Sequence, residues 1–342
     1  MKIKRAVYIS AIAAVVVAAA GAIWSYVSFH GKSVKADRDI YIHYGTPYAE
    51  ILEMLEPDMR HFGAFRMYAR RIELERTVKA GHYVLKEGMN VIRVARMLKL
   101  GEQTPVRVII NNARIPAELA GKLARQLEAD STAFANALTC DSLARTVGFD
   151  SLRLYSMFIP NTYEFYWTVR PEDFIRRMKR EYDAFWTPQR DAALERCRLS
   201  RYEVMTLASI VYEETKAVDE MARIAGVYVN RLRKGMLLQA DPTVKYALQD
   251  FKLRRILNSH LKFKSPYNTY VTKGLPPSPI CMPSIEAIDA VLHYEEHPYI
   301  YFCARPTFDG HHNFARTYTE HLANARAYIT AFKAREKERQ GQ

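Results

Sequence analysis

The sequence predicts an α+β chain with three parts: an N-terminal transmembrane helix, a small α+β domain, and a larger mixed α/β domain. Three observations carry this. Ala6 to Phe29 is a run of about 24 residues without a charge, long enough to cross a hydrocarbon layer of roughly 30 Å. Between 39 and 110, short alternating segments interleave with amphipathic helical ones. Beyond 111, helical spacing dominates and is broken only by aromatic- and proline-rich stretches. With 342 residues and 49% hydrophobic content, two globular domains are expected and a core is affordable.

Taken in order, Lys2, Lys4 and Arg5 precede the apolar run, and Lys32, Lys35 and Arg38 follow it, so charge asymmetry is weak. Residues 1–5 read as a cytoplasmic tail and 6–29 as the anchor. A cleaved signal peptide competes, because Ala18-Ala19-Ala20 resembles a cleavage site. The run continues past it through Ile23, Trp24, Tyr26 and Val27, longer than the usual apolar region of about 7–15 residues. Either way the body is exported. The net charge of +13 suits an acidic polymer, an anionic membrane or nucleic acid. No zinc-finger spacing and no phosphate-binding glycine loop is present, so nucleic acid is not an expected partner.

Residues 39–110 read as one unit. Ile40 to His43 alternates as a strand, Pro47 to Leu55 has helical spacing, and Arg60 to Lys79 is a basic helical region. A turn and short strand follow at Ala80 to Leu85. Asn90 caps an amphipathic helix that Gly101 stops, and Val106 to Ile110 is a strand. Nothing here has catalytic spacing, so a binding or spacer module is expected. Residues 111–199 read as helices at Pro116 to Leu127, Ser131 to Leu138, Cys140 to Thr146, Pro171 to Phe185 and Pro188 to Cys197. Phe158 to Phe165 breaks the pattern, with a turn at Pro160-Asn161 and extended aromatics. The four cysteines, Cys140, Cys197, Cys281 and Cys303, show no metal-binding spacing, and both free thiols and disulfides stay open.

From 200 the character changes. Ser200 can cap a helix on which Val204, Leu207, Val211 and Glu214 share one face, so a carboxylate ends an apolar stripe. Burial disfavours the charged form of a carboxyl and raises its pKa, the condition for a general acid near neutral pH. The competing reading is a structural carboxylate paired with an arginine. Glu213 lies about 100° round the helix, on the solvent side, and is the weaker candidate. A second helix runs from about Asp219 to Arg233 and ends at Lys234-Gly235. Gln239, Asp241 and Thr243 then alternate in a proline-containing turn. Tyr267-Asn268-Thr269-Tyr270 leads into Gly274 to Ile280, a proline-rich run expected as a rigid exposed loop, either a saccharide groove or an ordinary connection. Ile300 to Cys303 reads as a strand and Tyr318 to Arg335 as a last helix.

Several blocks together resemble the endolytic murein transglycosylases of the YceG-like, or MltG, family. They are A-S-I-V-Y-E-E-T (Ala208 to Thr215), A-G-V-Y-V-N-R-L (Ala225 to Leu232), G-M-L-L-Q-A-D-P-T-V (Gly235 to Val244), Y-N-T-Y (Tyr267 to Tyr270), G-L-P-P-S-P-I (Gly274 to Ile280) and H-N-F-A-R-T-Y-T-E-H (His312 to His321). The resemblance is strong over about 200–335 and diffuse over 39–200, where K-A-G-H-Y-V-L (Lys79 to Leu85) resembles the family's LysM-like subdomain.

The resemblance implies a single-pass protein of the inner (cytoplasmic) membrane. Its LysM-like domain would span 39–110, and its catalytic YceG-like domain, on the periplasmic side, 200–338. It implies cleavage of MurNAc–GlcNAc bonds within nascent peptidoglycan strands, leaving 1,6-anhydroMurNAc ends. The catalytic glutamate precedes the threonine and maps to Glu214, acting as acid and then base without metal or cofactor. Gln239, Asp241, Thr243, Tyr267, Asn268 and Thr269 would orient the sugars. Partners would be glycan strands, the membrane and peptidoglycan synthases. The chain departs from the family at Tyr212, where an earlier acidic residue is expected, and at Asn161, where aspartate is frequent. His311, His312 and His321 are expected in structural or surface roles. Two non-catalytic readings compete: a glycan-binding module, and a scaffold contacting the synthesis machinery through the anchor and residues 60–79.

Overall fold

The computed structural model describes residues 2–253 and 255–340, so Met1 of the expected tail lies outside the described residues. The chain divides into two compact units. The first comprises residues 1–108, 126–128 and 164–169. The second comprises 109–125, 129–163 and 170–342.

The first unit begins with α1 (Lys2–His30). Its stretch Tyr8–His30 has a mean hydropathy of 2.0 and is almost wholly exposed, which is long and apolar enough to cross a membrane. Then come β1 (Arg38–Ile42), α2 (Tyr48–Leu55), α3 (Phe62–Arg71), α4 (Leu74–Thr77), β2 (Gly81–Leu85) and α5 (Val91–Leu100). β1 and β2 pair antiparallel, Ile40 opposite Tyr83. Alternation along β1 buries Ile40 and Ile42, which join Ile51, Leu55, Phe65, Leu85, Val94 and Leu98 in one core. The basic helical region holds two helices, because Glu73 takes a left-handed conformation (φ 54°) between α3 and α4. Asn90 caps α5 through Arg93 N at 2.8 Å, and Gly101 stops it at φ 71°. The short segments 126–128 and 164–169 complete this unit. Trp167 meets Tyr41 and His43 edge-on, and Thr168 bonds Gln103.

β3 (Val106–Ile110) pairs with β4 (Asn161–Phe165) as a two-stranded sheet. The second unit holds α6 (Pro116–Ala124), α7 (Ser131–Thr139), α8 (Asp141–Thr146), α9 (Pro171–Phe185), α10 (Pro188–Cys197), α11 (Arg201–Glu214) and α12 (Val218–Arg233). Later come α13 (Asp241–Leu248), α14 (Asn258–Leu261), α15 (Ile285–Leu292), the antiparallel pair β5 (Tyr301–Ala304) and β6 (His312–Ala315), and α16 (Tyr318–Gln340). α6 is about one turn shorter than its apolar pattern suggests. The four cysteines are free.

α11 is the axis of this unit. Ser200 accepts from Glu203 N while the Glu203 carboxylate accepts from Ser200 N, a reciprocal cap that fixes the start. Every residue from Val204 to Val211 is buried. The expected single apolar face is therefore a helix covered on all sides, by α12, α13 and α15 among others. Its interior polar groups are satisfied locally: Thr206 donates to Tyr202 O, and Ser209 donates to Thr206 O.

The proline-rich run expected as an exposed loop lies in the interior. Pro276, Ser278, Pro279, Ile280, Cys281 and Met282 are buried. Ile280 N donates to Ser209 Oγ at 3.0 Å, and Met282 N to Ala113 O at 2.9 Å. Prolines have no N–H to satisfy, so such a run can be buried at low hydrogen-bonding cost. The expected turn at 239–243 is also different. Gln239 is left-handed (φ 52°), and Asp241 already opens α13, with Pro242 in the first turn where its missing N–H does no harm.

Candidate active site

The last residue of α11 is Glu214, and α12 brings Tyr228 to it. The Tyr228 hydroxyl donates to Glu214 Oε1 at 2.7 Å. Burial pushes the Glu214 carboxyl up to about 7; the Tyr228 hydrogen bond opposes this, nearby Asp241 adds to it, and Arg231 opposes it. Tyr228 is itself buried, which raises its phenol well above the usual range and keeps it a neutral donor. Arg231 is fixed from behind. Its guanidinium donates to Ile300 O at 2.7 Å and Leu238 O at 2.7 Å, and lies over the Tyr301 ring.

Of these groups Glu214 faces a cleft of about 820 Å³, lined also by Glu213 and Asp241 and by Tyr328, Phe332 and Lys333 of α16. Glu213 pairs with Arg114 at 3.2 Å. Neighbours on one helix thus have different environments: Glu213 has a cation, and Glu214 has a phenol and a desolvated seat. Asp241 is exposed and accepts from the Tyr270 hydroxyl at 2.7 Å.

The other expected sugar-orienting residues divide by environment. Gln239 is exposed, and its backbone N donates to Thr269 O at 3.1 Å. Thr243, Asn268 and Thr269 are buried with their side chains engaged inside the protein. Thr243 Oγ1 and Thr269 Oγ1 lie 2.8 Å apart, and Thr269 Oγ1 accepts from Ala240 N at 3.0 Å. Asn268 Nδ2 donates to Leu261 O and Phe263 O, while its Oδ1 accepts from Tyr270 N. These contacts hold the loop 265–270 against the start of α13, and so place Tyr270 and Asp241. Tyr267 is half-buried, its hydroxyl 2.6 Å from Ser278 Oγ.

Tyr228, Tyr270, Arg231 and the α16 wall carry no recognisable catalytic spacing. The one available signal was a tyrosine on the apolar stripe of the second helix, because a buried phenol needs a partner. Tyr212 and Asn161, where the resemblance led to an expectation of acidic residues, line a single hollow of about 300 Å³ with Asn111, Asn112 and Thr162. Its polar groups are neutral amides and hydroxyls.

Among the described residues no group of three or more His, Cys, Asp or Glu is placed to hold a metal ion. His311 bonds Asp219 at 3.2 Å, His312 bonds buried Glu220 at 3.0 Å, and His321 stacks on Tyr301. Gly226 lets α12 approach the segment 295–297 closely, and a Cβ there would collide with Glu295 O and the His297 ring. Asn230 and Arg231 bond the same segment's continuation at His297 O, Tyr299 O and Ile300 O.

The geometry can be set beside known proteins. The endolytic murein transglycosylase of Bacillus subtilis (strain 168) is 34% identical over 160 residues, 47% of this chain and 43% of that protein. The endolytic murein transglycosylase of Streptococcus pneumoniae serotype 2 (strain D39) is 25% identical over 306 residues, 80% of this chain and 54% of that protein. The chain therefore spans about half the length of the curated relatives it matches. A crystal structure of a yceG-like protein from Listeria monocytogenes aligns with a TM-score of 0.56 at 27% identity, covering 84% of this chain and 99% of that one. The model of the YceG-like family matches residues 40–327, well over half of the chain and including Glu213, Glu214 and Asp241, and on that extent the chain belongs to the YceG-like family.

Proposed function

We propose that this chain is a membrane-anchored endolytic lytic transglycosylase of peptidoglycan. It cleaves MurNAc–GlcNAc bonds within nascent glycan strands and leaves 1,6-anhydroMurNAc ends. The observation that carries the reading is the Glu214 carboxyl, held in a cleft by Tyr228, with burial raising it to about 7. At that value about half the molecules hold the transferable proton at neutral pH, and the group is equally able to take one back.

The steps balance on one residue. Protonated Glu214 donates to the glycosidic oxygen, which leaves as the GlcNAc 4-hydroxyl while the MurNAc C1–O bond breaks. The resulting Glu214 carboxylate accepts the proton of the MurNAc 6-hydroxyl as O6 bonds to C1. No water is consumed and Glu214 ends protonated. Tyr228 aims the carboxyl and stabilises its charged form midway. Asp241, exposed on the cleft and held by Tyr270, is set to stabilise the positive charge that develops at C1. Gln239 and Tyr267 would contact the sugars, and Thr243, Asn268 and Thr269 would act as positioning residues for that loop.

The proposed layout is a cytoplasmic tail at 1–5, an inner-membrane anchor at 6–29, a LysM-like glycan-binding domain at 39–110, a helical connecting part at 111–199 and the catalytic domain at 200–338 on the periplasmic side. The apolar length of α1 supports the anchor, and the compact β1–β2 and helix core of the first unit supports a separate binding module. Peptidoglycan synthases are the candidate protein partners.

The test is digestion of purified sacculi with the full-length protein, followed by mass spectrometry of the muropeptides. Anhydro ends are expected. Glu214→Gln keeps the size and removes the proton, so release should fall about 10⁴-fold or more, since one group serves both steps. Glu213→Gln, beside Arg114, should lose far less. Near-normal release from Glu214→Gln, or equal losses in both variants, would sink the assignment.

A further inference from the structure

We propose that the arginine-bearing face of α3, with the groove it forms against the end of α1, docks the phosphate of an anionic phospholipid. The acyl chains of that lipid lie along α1. This inference rests on α1 being the membrane anchor.

The groove has a volume of about 600 Å³. Tyr26, Phe29 and His30 of α1 form one wall, and Met67, Tyr68 and Arg71 of α3 form the other. No carboxylate lines it, while Arg71 and His30 do. Its lining is mostly apolar and carries the Arg71 guanidinium, which is the chemistry of a lipid and not of a soluble anion. Its level along α1 fits, because the apolar span ends at His30. Trp24 and Tyr26, strongly exposed just before that end, are the residue types that sit at a membrane–water boundary.

α3 itself is built for a boundary. Phe65 and Ala69 are fully buried in the core of the first unit. On the other side, Met67 is 68% exposed among Arg66, Arg70 and Arg71. Among the described residues none of these three arginines forms an ion pair, although many other arginines of the chain do. Glu73 and Glu75 lie with Arg66, Arg70 and Arg76 around a neighbouring hollow, so the local field there is mixed, whereas the groove that Arg71 lines holds no carboxylate. An exposed thioether inside an unpaired basic cluster gains nothing from water. Against a bilayer, Met67 enters the acyl boundary while the guanidiniums meet phosphates, to which arginine binds bidentately.

The experiment uses the full chain in nanodiscs of phosphatidylcholine, with or without phosphatidylglycerol, and measures hydrogen–deuterium exchange. Amides of residues 62–71 should exchange several-fold more slowly in the discs containing phosphatidylglycerol. Arg70→Gln with Arg71→Gln should abolish the difference, each arginine contributing roughly five-fold to lipid occupancy, and high salt should weaken it. Both side chains are exposed, so the fold should survive, and exchange in α11 checks this. Inorganic phosphate added to phosphatidylcholine discs should not reproduce the slowing. Equal exchange in the two lipids, or reproduction by free phosphate, overturns the proposal and leaves the anchor standing. A chain that neither disc retains overturns both.

Discussion

A phenol 2.7 Å from a carboxylate that burial has pushed up to about 7 acts as both a clamp and a brake on proton affinity. The Tyr228 bond is one of the two influences that lower the Glu214 value, the other being Arg231. Tyr228→Phe removes the donor and keeps the ring in its edge-on contact with Phe302. Glu214 then holds its proton more tightly. The alkaline limb of the activity profile should move to higher pH by about one unit, a hydrogen bond to a charged group being worth roughly 1.5–3 kcal/mol. Maximal rate should fall at the same time, because the aim of the carboxyl is lost. A profile whose limb stays in place would show that Tyr228 fills space and does not tune the acid. The place of Glu214 at the end of a buried helical run was legible in the sequence because Val204, Leu207 and Val211 lead to it at helical spacing. Tyr228 was not, since its pairing fourteen positions away exists only once α12 packs on α11. The family blocks single out Thr243, Asn268 and Thr269, but not the orientation of their side chains. Nothing in D-P-T-V or Y-N-T-Y says whether an oxygen faces a sugar or a neighbouring backbone N–H.

The elements were read best where local chemistry decides them. The cap at Ser200, the stop at Gly101 and the proline starts at Pro171 and Pro188 all act within one turn of chain. They failed where burial decides. Proline-rich composition reads as exposed, yet the 276–282 segment is interior because α11 offers it Ser209. That side chain is a two-sided connector, donating to Thr206 O at 2.7 Å and accepting from Ile280 N at 3.0 Å. Ser209→Ala leaves a buried amide N–H without its partner. The expected cost is about 1–3 kcal/mol in urea unfolding with an unchanged m-value, together with faster amide exchange at Ile280. Wild-type stability in that variant would mean that the strap is held by its apolar contacts alone.

Across the whole molecule, family was far more legible than arrangement. Six blocks in fixed order between Ala208 and His321 identify the family without any knowledge of packing. By contrast, residues 126–128 and 164–169 belong with the first unit through Glu128, Trp167 and Thr168 meeting Tyr44, Tyr41 and Gln103, contacts between residues more than 60 positions apart. No local pattern announces such a return. The seat of Glu214 also reaches the molecule as a whole, through folding. An unfolded chain gives up this proton near 4.5, whereas the folded one keeps it to about 7. A raised folded value favours the fold fully below the unfolded pKa, and that advantage drains away as pH climbs through the folded one. Between pH 4.5 and 7 the protein should therefore lose on the order of 3 kcal/mol of unfolding free energy from this group alone. Glu214→Gln, which carries no proton to lose, should match the parent near pH 4.5 and be the more stable of the two above pH 7 in urea titrations. Parallel stability curves for the two proteins would mean that the carboxyl is solvated in the folded state. The expected divergence makes the glutamate a residue that neutral pH turns against its own fold, so that a neutral isostere still able to accept from Tyr228 would be rewarded by a selection for stability and rejected by one for function.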